Sequence, residues 1–283
     1  MGLSALGFMI GTGGSAIVSK ALGEGKRELA NQYFSMLVYV SAIGGIILSA
    51  AGLFLLRPIA ALLGATGEMA DLCVLYGRIL LLSLTPFLLQ NVFQSFFVTA
   101  EKPQLGLKVT IAAGLTNIVL DYLFIGVLHW GIAGAAIATA LSETVGGLFP
   151  ILYFTRKNES LLRLVKARVD FKALGKACAN GSSELMTNLS LSVVNSLYNL
   201  QLISIAGENG VAAYGTIMYV NFIFIAIFLG YSIGSAPIIG YHYGAGNHKE
   251  LKNLLRMSLS IVGICGVTLM LLAEVLASPL ARL

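Results

Sequence analysis

Charge is what this sequence has least of. Of its 283 residues only 11% are Asp, Glu, Lys or Arg, against about 25% in a soluble domain. Hydrophobic residues make up 57%, and the mean hydropathy is +0.85. A water-soluble chain of this composition could not cover its surface with polar groups, so lipid must be the solvent for much of it. Cysteine is scarce too. Cys73, Cys178 and Cys265 stand far apart in or near apolar stretches, which argues against a disulfide framework or a thiolate metal site. The chain has only three histidines, and His242 and His248 have no metal-ligand partners nearby in sequence. No nucleophile–base pattern appears. Gly11-Thr12-Gly13-Gly14 lies inside an apolar run rather than between a strand and a helix, so it is not a phosphate loop. An enzyme, a nucleotide-driven machine and a cofactor protein are therefore not expected. A net charge of +5 spread over short loops does not describe a nucleic-acid surface. The apolar opening at residues 1–18 has no basic segment before it, so a secretory leader is not expected either.

What is there is a series of long apolar runs, uncharged except for Asp121 in one and Glu143 in the next. A membrane helix needs about 20 predominantly apolar residues. Tyr33–Leu56, Ile79–Ala100, Val109–Leu128, Ile132–Phe154, Leu185–Gly207, Asn209–His248 and Met257–Ala273 qualify, and residues 1–18 supply part of another. The expected fold class is an all-α membrane protein, a polytopic helical bundle. Pro86, Pro150 and Pro237 fall inside these runs and predict bends. Glycine-bearing turns separate them, among them Gly23-Glu24-Gly25, Gly64-Ala65-Thr66-Gly67, Glu208-Asn209-Gly210 and Gly244-Ala245-Gly246.

The loops at 19–32, 101–108, 155–177 and 241–256 hold 15 of the 18 Lys and Arg residues. That asymmetry predicts that these loops are cytoplasmic, in a multi-pass protein of the bacterial cytoplasmic membrane. The longest, 155–177, mixes seven basic residues with Leu161, Leu162, Leu164 and Val165. It reads as an amphipathic linker lying on the inner leaflet.

Shifted by 221 residues, the sequence partly matches itself. Gly23-x-Gly25 falls on Gly244-x-Gly246, Gly13 on Gly234, and Pro58 on Pro279. Six spans fit one period, so both copies enter the membrane the same way, related by an axis along its normal. The repeat predicts a twelve-helix, two-lobe protein built from two parallel six-helix repeats. This chain would hold part of helix 2 and helices 3–6 (1–154), the linker (155–177), and helices 7–9 (178–283).

Ionisable groups within membrane helices are costly and mark functional candidates. Thr110, Gly114, Asn117 and Asp121 share one helical face, and Thr139 and Glu143 are one turn apart on the next helix. A hairpin could gather Asn117, Asp121, Thr139 and Glu143 into a site for a proton or Na⁺, with hard oxygen ligands for the latter. Gln90, Asn91 and Gln94 place amides on the preceding helix. A second stripe, Glu184, Asn188, Ser192, Asn195 and Asn199, should look into protein or a water-filled cavity that could take substrate. Tyr198, Tyr214 and Tyr231 could add flat surfaces for cations. Glu274 and His129-Trp130 read as interfacial.

These residues resemble a known family. Asn117-Ile-Val-Leu-Asp121-Tyr-Leu-Phe followed by Gly131-Ile-Ala-Gly134-Ala-Ala-Ile-Ala-Thr139 resembles helices 5 and 6 of multidrug and toxic compound extrusion (MATE) transporters. Ala100-Glu-Lys-Pro103 resembles the loop before helix 5, and Pro237-Ile-Ile-Gly240-Tyr-His-Tyr-Gly244-Ala-Gly246-Asn247 the end of helix 8. The resemblance implies a V of two lobes that exports small amphipathic or cationic organic compounds in exchange for H⁺ or Na⁺. It implies a cation site at Asn117, Asp121 and Thr139 with a helix-4 amide, Gln94 or Asn91. A monomer in the bilayer, with no nucleic-acid partner, is expected. A flippase for lipid or lipid-linked sugar on a related two-lobe plan is the rival reading. It would need several basic residues in its cavity, and within the spans only Arg78 is basic.

Overall fold

A computed structural model describes residues 2–62 and 67–280. The elements are α1 (Gly2–Gly23), α2 (Arg27–Leu62), α3 (Gly67–Leu82), α4 (Leu84–Thr99), α5 (Pro103–Asp121), a π-helical turn (Tyr122–Val127), α6 (Gly131–Thr155), α7 (Phe171–Gly244) and α8 (His248–Leu280). Among the described residues there is no strand. In lipid only a helix or a closed barrel satisfies its own backbone. Six helices are long and apolar enough to cross a membrane, or seven if the bent pair α3–α4 is one span. The first helix reaches Gly23 rather than stopping near residue 18, and is itself long enough to be a candidate span.

Breaks follow local chemistry. α3 and α4 meet at Ser83 with a 51° bend. Pro86 has no N–H for the Leu82 carbonyl, so the helix cannot run through this point. Pro150 and Pro237, by contrast, sit inside uninterrupted helices. The long α7 is two helices joined at Gly207, whose φ of 62° and ψ of −155° only glycine adopts readily. The turn expected at Glu208-Asn209-Gly210 thus forms one residue earlier. Of the other expected turns, Gly64-Ala65-Thr66 lies outside the described residues.

The internal repeat is visible in hydrogen bonds. After α1, Glu24, Gly25 and Lys26 donate to Lys20, Leu22 and Ala21 (3.0, 3.0 and 2.9 Å). After α7, Ala245, Gly246 and Asn247 donate to Tyr241, Tyr243 and His242 (2.9, 3.2 and 3.0 Å). Each residue in the second set is 221 positions beyond its counterpart. Gly25 (φ 74°) and Gly246 (φ 69°) carry the left-handed residue of this helix stop. The two helices also cross reciprocally: a Cβ on Gly23 would strike the Tyr241 carbonyl, and one on Gly244 the Lys20 carbonyl.

The core lies among α1–α6. Phe34 of α2 is fully buried, with ring centroids 4.9 Å from Phe96, 5.0 Å from Phe154 and 6.3 Å from Phe93. α6 packs on α3, α4 and α5, while α1 packs on α2, α4 and α7. The segment 156–170 runs outside the helices, and helix α7 begins at Phe171, inside the expected 155–177 linker. Asn31 and Ser35 of α2 accept from the Arg163 and Val165 amides (2.9 and 2.8 Å). Arg27 donates to the Ser160 carbonyl (3.2 Å) and Tyr39 to that of Val165 (3.1 Å). Leu162 is fully buried.

Candidate cation site and polar stripes

α5 presents its polar face unevenly. Thr110 is exposed and donates to the Gly106 carbonyl (3.0 Å). Asn117 and Asp121 lie deeper. The Asn117 Nδ2 and Asp121 Oδ1 atoms are shut off from solvent and have no hydrogen-bond partner. Buried polar atoms are nearly always paired, because leaving one bare costs about 1–3 kcal/mol. Two such atoms one turn apart are therefore ready to meet a ligand. Asp121 is also the last α-helical residue before the π-helical turn. The wider register there is a deviation that recurs at functional sites.

On α6, Thr139 is half-buried. Thr144 donates to the carbonyl four residues back (2.7 Å), as Thr116 on α5 does (2.8 Å). Among the described residues the Thr139 hydroxyl makes no such bond, so its oxygen remains available. Glu143, one turn on, accepts a 2.6 Å hydrogen bond from Ser83, which also lies 3.0 Å from the Leu80 carbonyl. Among the described residues the hydrogen-bond partner of Glu143 is thus at the α3–α4 break. With Glu143 ionised, the single Ser83 hydrogen serves one of the two acceptors. With it protonated, Glu143 can donate to Ser83 and both contacts are hydrogen bonds. The pair accommodates either state.

On α4, Gln94 is half-buried. The unpaired buried atoms are instead Gln90 Oε1, Asn91 Nδ2 and Ser95 Oγ. Asn91 is 6% exposed and packs beside Gly7 of α1, where an added Cβ would lie 3.1 Å from its own. Gln90 packs against Gly146 of α6, 2.6 Å from the position of an added Cβ. Ser83 and Ser95 were not singled out in the sequence. A serine three residues before Pro86 is the signal that could have found the first.

The stripe on α7 is wired differently. Asn188 donates to the Glu184 carbonyl (2.8 Å) and Ser192 to that of Asn188 (2.9 Å). Asn195 accepts from the Tyr214 hydroxyl (2.9 Å), whose ring stacks on Tyr198 at 5.2 Å. That pair ties the two parts of α7 together across Gly207. Tyr231 donates to Ser258 of α8 (2.7 Å). Glu184 is half-buried and makes no ion pair among the described residues. The Asn199 side chain lies outside them. Glu274 is exposed, and Trp130 stacks on Phe124 at 5.0 Å. Among the described residues no three His, Cys, Asp or Glu side chains gather as a metal cluster would require.

Apolar helices long enough to cross a membrane, carrying a few buried polar groups, make this a multi-pass helical bundle. The MatE family model matches residues 1–123 and 185–283, so the chain belongs to the MatE family. It is 30% identical over 276 residues to the multidrug export protein MepA of Staphylococcus haemolyticus, covering 96% of this chain and 60% of that protein. The MepA of Staphylococcus aureus strain MRSA252 is 25% identical over 270 residues, covering 95% of this chain and 59% of its own length. This chain thus spans about 60% of the length of the curated relatives it matches. Its fold superposes with a TM-score of 0.91 on an outward-facing multidrug resistance MATE family transporter, at 24% identity, covering 99% of this chain and 63% of that one. A MOP superfamily transporter from Pyrococcus furiosus gives the same TM-score and identity, with 100% and 63% covered. Asn117 and Asp121 fall within the matched residues; Thr139 and Glu143 fall between the two matched stretches.

Proposed function

We propose that this chain forms part of a secondary active exporter of small amphipathic or cationic organic compounds, driven by inward movement of H⁺ or Na⁺. In this reading α1–α6 form an amino-terminal lobe, 156–170 the linker, and α7–α8 part of a second lobe. The basic loops face the cytoplasm, by the asymmetry of Lys and Arg. The observation that carries the reading is the Asp121 Oδ1 atom at the end of α5, buried and without a hydrogen-bond partner among the described residues. A carboxylate oxygen held out of water without a partner is a natural ligand for a cation. Asp121 would supply the charge. The Asn117 amide oxygen and Thr139 hydroxyl would supply neutral oxygen ligands of the kind Na⁺ prefers. Asn91 and Gln90, rather than Gln94, are the α4 amides with spare hydrogen-bonding capacity. Glu143, on the same face as Thr139 but bonded to Ser83, is a second proton carrier on this reading. Glu184, Asn188, Ser192 and Asn195 would line the path of the organic substrate.

Accumulation of a fluorescent lipophilic cation in drug-sensitised cells tests this. Cells expressing the chain within a complete twelve-helix transporter should hold less dye than cells expressing the same protein with Asp121→Asn at the same membrane level. A fall in dye that is identical in both would remove Asp121 from coupling. No fall in either, with both proteins in the membrane, would remove drug export.

A further inference from the structure

Away from Asp121, a cleft of about 680 Å³ opens at the basic end of the bundle, where α1, α2 and both ends of α7 converge. Its rim carries Lys20 of α1 and Lys172 and Lys176 of α7. Its floor is apolar, formed by Ile17 of α1 and Ala236 and Ile239 of α7. Two carboxylates also reach the rim, and both are engaged. One Glu24 oxygen lies 2.7 Å from Lys26 and the other 3.9 Å from Lys20. The Lys26 ammonium holds the Glu24 carboxyl below its ordinary range. Asp170 caps α7, accepting from the Lys172 and Ala173 amides (2.9 and 3.1 Å). Lys172 and Lys176, one turn apart on the same face, form no ion pair among the described residues. Lys20 is placed 5.1 Å from the centre of the Tyr243 ring, whose face attracts cations.

A ligand that fits a cationic rim over an apolar floor is an anion with a hydrocarbon tail. The depth fits as well. Ile17 is three residues below Lys20 on α1, about 4.5 Å along the helix axis. An anion at the lysines would therefore leave its tail to run down into the bilayer. We propose that this cleft is a binding site for an anionic phospholipid, its phosphate between Lys20 and the Lys172–Lys176 pair and its chains along Ile17 and Ile239. The phosphate bridges α1 to α7 beside the Gly23–Gly244 crossing, so occupancy fastens the two parts of the molecule together at this end. Basic pockets between membrane helices on the cytoplasmic side recognise lipid headgroups in this way. The inference is independent of the coupling site.

Native mass spectrometry of the purified full chain tests it, with phosphatidylglycerol, phosphatidylcholine and inorganic phosphate as probes. One phosphatidylglycerol should bind with higher affinity than phosphatidylcholine, and free phosphate should not displace it. Lys172→Gln/Lys176→Gln should weaken that binding about tenfold or more, while Lys172→Arg/Lys176→Arg should retain it. Lys249→Gln/Lys252→Gln, an equal charge change on α8, should leave it unchanged. Equal loss in the two Gln pairs would overturn the site in favour of general surface charge. Equal binding of phosphatidylcholine would leave only an apolar groove. Full displacement by inorganic phosphate would make it a free-anion site and overturn the lipid.

Discussion

Two polar stripes run through this molecule, on α5 and on the first part of α7, and they handle their polar atoms in opposite ways. On α7, Asn188 and Ser192 hydrogen-bond to the backbone of their own helix, and Asn195 accepts from Tyr214. On α5, Asn117 Nδ2 and Asp121 Oδ1 are buried and unpaired, and across the hairpin the Thr139 hydroxyl forgoes the usual back-bond. A satisfied stripe needs nothing more to be stable in a membrane. An unsatisfied one needs a ligand, and a ligand that comes and goes is what coupling requires. On the proposed reading, ion chemistry belongs to α5, and α7 offers the organic substrate a polar surface that needs no ligand for its own stability.

Eight substitutions, in five tests, probe that contrast. Asp121→Asn should have the largest effect, reducing ion-driven dye export to background with normal membrane insertion, because the charge that binds the cation is gone. Gly147→Val comes next. A Cβ there would strike the Pro86 carbonyl, so α6 must move off α4 and misplace Thr139 and Glu143. Loss of export should be joined by a thermal destabilisation of about 1–3 kcal/mol. Asn117→Ala and Thr139→Ala should each weaken the apparent affinity for the coupling ion about tenfold, the worth of one buried polar contact, at unchanged maximal rate. Glu143→Gln and Ser83→Ala separate a proton carrier from a structural carboxyl. If Glu143 carries protons, Glu143→Gln should alter the pH profile of export and Ser83→Ala should shift it only slightly. Equal effects would make the pair a helix-break staple. Asn188→Ala and Ser192→Ala should do least, within about twofold in export, since each removes a bond of about 1 kcal/mol to its own helix. A larger effect than that of Asn117→Ala would reverse the comparison.

Much of this was legible in the sequence. Long apolar runs give spans because lipid leaves the backbone no alternative to the helix. The repeat was legible as well, down to the Gly-x-Gly stops that make matching hydrogen bonds. What a one-dimensional pattern could not supply is which helix each face meets. Thr110 shares a face with Asp121 on paper, yet it is exposed and bonded to its own backbone. Gln90, Asn91 and Gln94 all place amides on α4, yet only the structure shows that Gln90 and Asn91 hold buried unpaired atoms. The π-helical turn after Asp121 has no local composition signal, and the Ser83–Glu143 bond depends on a contact 60 residues apart in sequence.

The central claim, that Asp121 is the group that takes up the coupling cation, is tested most directly by infrared difference spectroscopy of its carboxyl stretch. The purified chain would be followed as pH is changed and as Na⁺ is added. The account predicts a carboxyl band that responds to one of the two ions and is missing from the Asp121→Asn difference spectrum. A wild-type band that persists unchanged in Asp121→Asn would contradict it.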